Sequence, residues 1–523
     1  MKQFILYTYF LLLFGNVLMP AVAKTKLSDM KKFNYVVDRF ADVEVLRYEV
    51  HDFEQLPLQQ KKLVYYLSEA ALQGRDILFD QNYRHNLLIR QTLEAVYENY
   101  KGDRDIDEFK QFVIYLKRVW FSNGIHHHYG MNKFIPGFSS AYFAYLVRSI
   151  PAEKLPLQHY KNVDSLLTVL SPVLFDTMID AKRVNLAEGE DLISTSANNY
   201  YQGLTQKEAE DFYAKFKDST DQTPLSYGLN SRLVKAPNGD IVEYVYKVGG
   251  LFSAEIERII YWLEKAITVA ENTRQKEVIE KLIDFYRTGD LKTFDEYSIL
   301  WVHDTDSHID FLNGFIETYG DPLGIKASWE ALVNFKNVEA TKRTDIISRN
   351  AQWFEENSPI DKRFKKEKVK GVSAKVITAA ILGGDCYPPT PIGINLPNAN
   401  WIRQMHGSKS VTIENITEAY VKASMGNGFN EEFMWSKKEI DRKIKYGTLT
   451  DNLHTDLHEC LGHGSGQLLP GVSPDALKAY GATMEEARAD LFGLYYMGHP
   501  KIVQLGLLPN DEAYKAEYYS FMM

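Results

Sequence analysis

From Leu27 to about Arg183, apolar residues fall in clusters three or four positions apart, as in Leu63-Val64-Tyr65-Tyr66-Leu67, Leu87-Leu88-Ile89 and Phe112-Val113-Ile114-Tyr115-Leu116. A 3.6-residue turn gathers such clusters on one face, so this stretch predicts packed amphipathic helices. After Thr223-Pro224 the pattern shortens to alternating runs, Arg232-Leu233-Val234-Lys235 and Ile241-Val242-Glu243-Tyr244-Val245-Tyr246, on either side of Pro237-Asn238-Gly239-Asp240. Asn-Gly readily adopts the positive φ of a tight turn, which predicts a hairpin between Ser231 and Val248. Helical periodicity returns at Ala254–Glu271 and Arg274–Tyr286. Val376 to Asn400 is rich in Gly, Pro and β-formers and reads as strand and loop, and helix dominates from about Glu431 onward. The fold class is therefore α+β, predominantly helical, with a modest β element assembled from segments distant in sequence.

At 523 residues, with 45% hydrophobic and 25% charged residues, the chain is long enough for several cores without disulfide staples. A bound metal would then serve function rather than folding. Lys and Arg total 60 against 69 Asp and Glu, a net charge of -9. The only dense basic run, Lys362 to Lys368, is short and broken by Phe364 and Glu367, so nucleic acid is not expected as a partner. Met1-Lys2-Gln3, the apolar run Phe4–Met19 and the A-x-A site Ala21-Val22-Ala23 predict a signal peptide over residues 1–23. Thr8, Gly15, Asn16 and Pro20 make that run a poor membrane span, and no later stretch approaches the roughly 18 apolar residues a spanning helix needs. The mature chain is expected to be exported, periplasmic or secreted, and not membrane-embedded. Cys386 and Cys460 are too few for a disulfide scaffold and are expected as buried thiols. The last segment opens like a capped helix at Pro509 and is still apolar at Phe521-Met522-Met523, the pattern of a helical unit incomplete at its C-terminus.

The sharpest chemical feature is His458-Glu459-Cys460-Leu461-Gly462-His463, followed by Glu485-Glu486-Ala487-Arg488-Ala489-Asp490. Two imidazoles and a carboxylate leave an open fourth position on tetrahedral zinc, where water is acidified toward a pKa of about 7 and a nearby carboxylate can take its proton. In a regular helix, i and i+5 lie roughly 140° apart, too far round for one ion. The helix is therefore expected to be rewound by a π-type bulge, which Gly462 beside His463 would suit. Glu486 and Asp490 share a helical face, so Glu486 can supply the third ligand. Asp490 and Glu485 are placed to accept the remaining imidazole N–H groups. His126-His127-His128 is conspicuous, but consecutive residues point in different directions and do not converge on one metal.

The H-E-x-x-G-H motif with its following E-E-x-R-A-D element resembles the dipeptidyl peptidase III family of zinc exopeptidases. The resemblance extends to Gly314-Phe315-Ile316-Glu317-Thr318-Tyr319 and Pro391-Ile392-Gly393-Ile394-Asn395-Leu396-Pro397-Asn398. It implies one Zn2+ held by His458, His463 and Glu486, Glu459 as general base, and Glu485 and Asp490 orienting the imidazoles. Asp490 stands where the family commonly has Glu, so that hydrogen bond could be longer or moved. Tyr319 matches the tyrosine that steadies the oxyanion, and Glu317, Asn395 and Asn398 match residues that hold a substrate's free amino terminus. The implied architecture is two lobes around a wide cleft. Residues 24–337 and 379–424 would form a mixed lobe that binds peptide as an added strand. Residues 338–378 and 425–523 would form a helical zinc lobe. The family also contributes a later His and Arg, which have no counterpart after Asp490 here. The implied activity is release of dipeptides from short peptides with a free N-terminus, by a monomer. A zinc-bound peptide-binding protein, or a truncated fragment with little turnover, is the alternative, against which the retention of Glu459 argues.

Overall fold

The computed structural model describes residues 33–218, 220–369, 375–472 and 481–523. The expected signal peptide, residues 1–23, lies outside the described residues. The fold is α+β and predominantly helical, organised around a five-stranded sheet in the order β6-β7-β8-β10-β9. Its strands are β6 (Ile309–Phe315), β7 (Trp329–Lys336), β8 (Lys375–Gly384), β9 (Gly393–Leu396) and β10 (Lys409–Ile413). β8 and β10 run parallel, and the other pairs are antiparallel. Strands β6 and β7 are buried along almost their whole length. Helices cover these strands, whose buried positions include Asn313, Glu330 and Asn334 beside the apolar residues. Leu63, Leu67, Ile256, Ile259, Val278 and Leu282 from three of those helices join Phe311, Trp329 and Leu332 in one core. Among the described residues, β9 lies at the sheet edge, with no strand pairing its outer backbone row.

Helices between Arg75 and Phe175 enclose a second core around Phe112, Leu116, Phe143 and Leu170, as their periodicity predicts. Helix does not extend back to Leu27 through the described residues, because β1 (Val36–Phe40) and β2 (Val43–Leu46) pair as a hairpin. Val36-Val37-Asp38-Arg39-Phe40 alternates in burial with a period of two, too short a run to register against the helical pattern that follows. The Asn-Gly hairpin forms as expected from β4 (Ser231–Lys235) and β5 (Ile241–Val245), with Gly239 at φ +89°, and β3 (Tyr201–Gln202) adds in parallel to β4.

A third core joins Ile347, Phe354, Leu453, Leu457, Phe492, Tyr496 and Leu508. These come chiefly from the helices Val338–Arg349, Ala351–Asn357, Lys437–Leu457 and Gly481–Met497. Cys386 and Cys460 are both buried. Among the described residues, no helix is long and apolar enough to cross a membrane.

Candidate functional site

The helix Lys437–Leu457 runs directly into a five-residue π-turn, His458–Gly462. The amide of His463 donates to the carbonyl of His458 at 3.1 Å, an i to i−5 bond that takes up the extra residue. The rewinding brings the two imidazoles together, with ring centroids 4.6 Å apart and planes at 86°. Gly462 is required because the helix Gly481–Met497 lies on the turn. A Cβ at Gly462 would stand 2.8 Å from the Ala489 backbone.

That close approach carries Glu486 over the imidazoles. Its Oε2 lies 3.3 Å from His458 Nε2 and 3.8 Å from His463 Nε2, and one donor atom from each of the three residues lies within 4.8 Å of the others. Donors about 2.1 Å from a tetrahedral ion stand roughly 3.4 Å apart, so the three fit one metal with a coordination position left over. The opposite ring nitrogens are held by carboxylates: His458 Nδ1 is 2.8 Å from Asp490 Oδ1, and His463 Nδ1 is 3.1 Å from Glu485 Oε1. A carboxylate accepts, so each Nδ1 carries the hydrogen and each Nε2 presents a lone pair to the shared centre. The shorter Asp490 therefore reaches His458 at an ordinary hydrogen-bond length. Glu485 is clamped in turn by Arg488 at 2.5 and 2.8 Å. The Arg488 hydrogen bonds are the main force holding its carboxyl below the usual range, against the opposing effect of burial.

The base candidate, Glu459, sits beside the sheet edge. A Cβ built on Gly393 of β9 would be 3.3 Å from Glu459 Oε1, so the bare glycine lets the strand run past the carboxylate. Asn395 lies two residues on, exposed on the same strand and paired with Ser410 of β10. Just past the strand, Asn398 Nδ2 donates to Glu317 Oε2 at 3.1 Å and to the Ile316 carbonyl at 3.3 Å. Burial raises the Glu317 pKa, against the Asn398 hydrogen bond. Tyr319 is 81% exposed, and the negative charge of Glu317 is the main reason its phenol is pushed up. Glu317, Tyr319 and Asn398 line one cavity of about 1070 Å³ together with Asp295, Tyr297 and Trp301. His458, His463, Glu486 and Asn395 are not among the residues lining it. β9 runs from beside Glu459 to this cavity.

Sequence reasoning gave no role to Arg488, although it lies inside the motif, and it passed over His454. That residue is buried one turn before His458, with Nδ1 3.0 Å from Glu517 Oε1. Its i−4 spacing from His458 was the available signal. The three consecutive histidines do diverge: His126 Nε2 meets the Asp180 carbonyl, His127 Nδ1 accepts from the amides of Tyr129 and Gly130, and His128 Nδ1 lies near Ser122 Oγ.

A profile of peptidase family M49 matches residues 235–478, a stretch that contains Glu317, Tyr319, Asn395, Asn398, His458, Glu459 and His463. Dipeptidyl peptidase 3 of Dictyostelium discoideum is 23% identical over 537 residues, covering 93% of this chain and 75% of its own length. Over that stretch the chain is similar to peptidase family M49. Human dipeptidyl peptidase 3 is also 23% identical, over 483 residues, but this chain spans only 62% of the human protein. In fold, it resembles the structure of DPP III from Caldithrix abyssi, with a TM-score of 0.65, 20% identity, and coverage of 90% of this chain and 76% of that one. M49 is a metallopeptidase family, and the donor set at His458, His463 and Glu486 suits a metal cofactor.

Proposed function

We propose that the chain is a zinc-dependent dipeptidyl peptidase acting on short peptides with a free N-terminus. The observation that carries this is the shared centre of two imidazole Nε2 atoms and the Glu486 carboxylate, with both Nδ1 atoms held by acids and Glu459 beside the edge of β9. Zinc bound there would polarise a peptide carbonyl and acidify a water. Glu459 takes the proton of the attacking water and returns it to the leaving amine. The Tyr319 phenol, protonated at neutral pH as tyrosine ordinarily is, donates to the oxyanion that develops on the carbonyl.

Peptide adds as a further strand along β9, through main-chain hydrogen bonds that ask little of side chains. Glu317 and the amide oxygens of Asn395 and Asn398 hold the ammonium group. Asn398 has already committed its Nδ2 to Glu317 and Ile316, which leaves its oxygen to accept. A fixed ammonium anchor at one end of β9 and the base at the other make cleavage count residues from the N-terminus. In this reading residues 24–337 and 379–424 form the peptide-binding lobe, and 338–378 and 425–523 the zinc lobe. The apolar start of the chain and Ala21-Val22-Ala23 support export.

The test is mass spectrometry of an unblocked octapeptide incubated with zinc-loaded protein, with Glu459→Gln as control and an acetylated octapeptide alongside. Stepwise loss of dipeptides from the free peptide alone, absent in the variant, is the expected result. Equal cleavage of the acetylated peptide would remove the exopeptidase reading. Stoichiometric zinc without cleavage would favour a peptide-binding protein.

A further inference from the structure

Asp490 belongs to the helix Gly481–Met497, and its carboxylate reaches His458 only if that helix lies at one particular depth. Two contacts set the depth. Gly462 meets Ala489 from the π-turn, and Gly493, one turn further along, lies on the ring of His454. A Cβ at Gly493 would be 2.8 Å from His454 Cδ2 and 3.2 Å from Nε2. Glycine in a helix interior costs about 0.5–1 kcal/mol relative to alanine, so a close approach of this kind is what offsets it. The imidazole that receives Gly493 is itself fixed. His454 is 7% exposed, its Nδ1 lies 3.0 Å from Glu517 Oε1, its Nε2 lies 3.3 Å from the Asp490 carbonyl, and the Phe521 ring meets its edge at 5.4 Å. Burial pushes its pKa down, but the hydrogen bond and charge of Glu517, with Asp490, outweigh that and raise it. Its two ring nitrogens each face an oxygen, one on each helix it touches.

We infer that His454 and Gly493 are positioning residues that seat the Asp490 helix deeply enough for a carboxylate one methylene shorter than glutamate to orient His458. This rests on the reading of His458 as a metal ligand. The margin is narrow, because the His458–Asp490 contact is 2.8 Å and one beyond about 3.5 Å is no longer a hydrogen bond. A methyl group wedged at Gly493 moves the helix by about that difference.

The experiment measures zinc affinity of the full chain by competition with a chromophoric chelator, with circular dichroism to confirm the fold. Gly493→Ala is expected to weaken zinc binding about 10- to 100-fold, the usual cost of losing a carboxylate behind a ligand imidazole. Asp490→Glu in that background is expected to restore most of the affinity, because the longer side chain spans the gap, while Asp490→Glu alone gains nothing. A merely structural defect would not be repaired this way. Gly493→Ala with wild-type affinity, or a double variant no tighter than the single one, overturns the inference. Should Gly493→Ala fail to fold, His454→Ala removes the seat without adding bulk. The same loss and the same repair by Asp490→Glu are expected there, and unchanged affinity overturns the inference. A wild-type chain that binds no zinc removes the metal-ligand reading, and the inference with it.

Discussion

Asp295 shows how one side chain can oppose the fold around it. It is 7% exposed, its Oδ2 meets no partner among the described residues, and burial lifts its pKa to about 7, with Asp290 adding a little. The folded chain therefore binds this proton more tightly than the unfolded one, so stability falls as pH rises from about 4 to 7 and is level above. Asp295→Asn is expected to leave stability nearly unchanged at pH 4 and to raise it by on the order of 2 kcal/mol at pH 8, read from urea unfolding at both pH values. Glu485 has the opposite sign. Its lowered pKa means that its contribution is present above the ordinary carboxyl range and is lost as pH falls. Glu485→Gln keeps the shape but loses the charge facing Arg488 and His463, and about a tenfold loss of zinc affinity is expected in the chelator competition at neutral pH. The reach of sequence reading divides along the same line. His458, His463, Glu485, Glu486 and Asp490 are close in the chain, so their spacing carries their geometry. Glu317 and Asn398 meet across 81 positions, and only resemblance pointed to the pair. Asp295 is a single polar residue on a helix, indistinguishable before folding from an ordinary surface position, and His454 offered only its i−4 spacing from His458.

Among the elements, the π-turn was legible because i and i+5 imidazoles cannot share a face of a regular helix, so the motif itself demanded the distortion. The hairpin β4–β5 was legible from Asn238-Gly239. Strands β6 and β7 were not, since they are buried on both faces with Asn313, Glu330 and Asn334 among the buried positions, and so lack the alternation that marks a half-exposed strand. Nor could sequence place β9 at the sheet edge, because strand order depends on how β10 inserts between β8 and β9. The edge position sets the next expectation. Gly393→Val puts a branched side chain where even a Cβ stands 3.3 Å from Glu459 Oε1. Steady-state kinetics on a dipeptidyl substrate should then show kcat/KM reduced by about 100-fold or more, with zinc content unchanged, since a 1 Å misplacement near reacting groups costs about that much. Loss of zinc in this variant would mean that β9 supports the metal centre rather than the peptide beside it.

At the scale of the whole molecule, the sheet and the helix leading to His458 are joined through a buried charged node. Arg343, on the helix that follows β7, pairs with Asp456 on the helix leading to His458, and lies 3.7 Å from Glu414, on the helix that follows β10. Glu414 also accepts from Asn452 and, at 2.8 Å, from Asn337. Asp456 is 1% exposed, and burial raises its pKa to about 7 despite the opposing Arg343. A raised carboxyl pKa makes the charged form the costly one, so this site contributes most at low pH and loses stability as pH climbs from about 4 to 7. Removing the cation should deepen that slope. In Arg343→Met, Asp456 must either stay charged without a partner or take a proton, which is easy at pH 5 and hard at pH 8. The expected loss at pH 8 is about 3–5 kcal/mol, the usual effect of stranding one member of a buried ion pair, with a clearly smaller loss at pH 5. Urea unfolding with chelator present, which keeps metal binding out of the comparison, measures both. Asp456→Asn added to Arg343→Met should recover much of the loss at pH 8, because the amide leaves no charge to strand. Equal losses at the two pH values would mean that Arg343 acts through packing of its stem, and that the node holds the two parts together by shape rather than by charge.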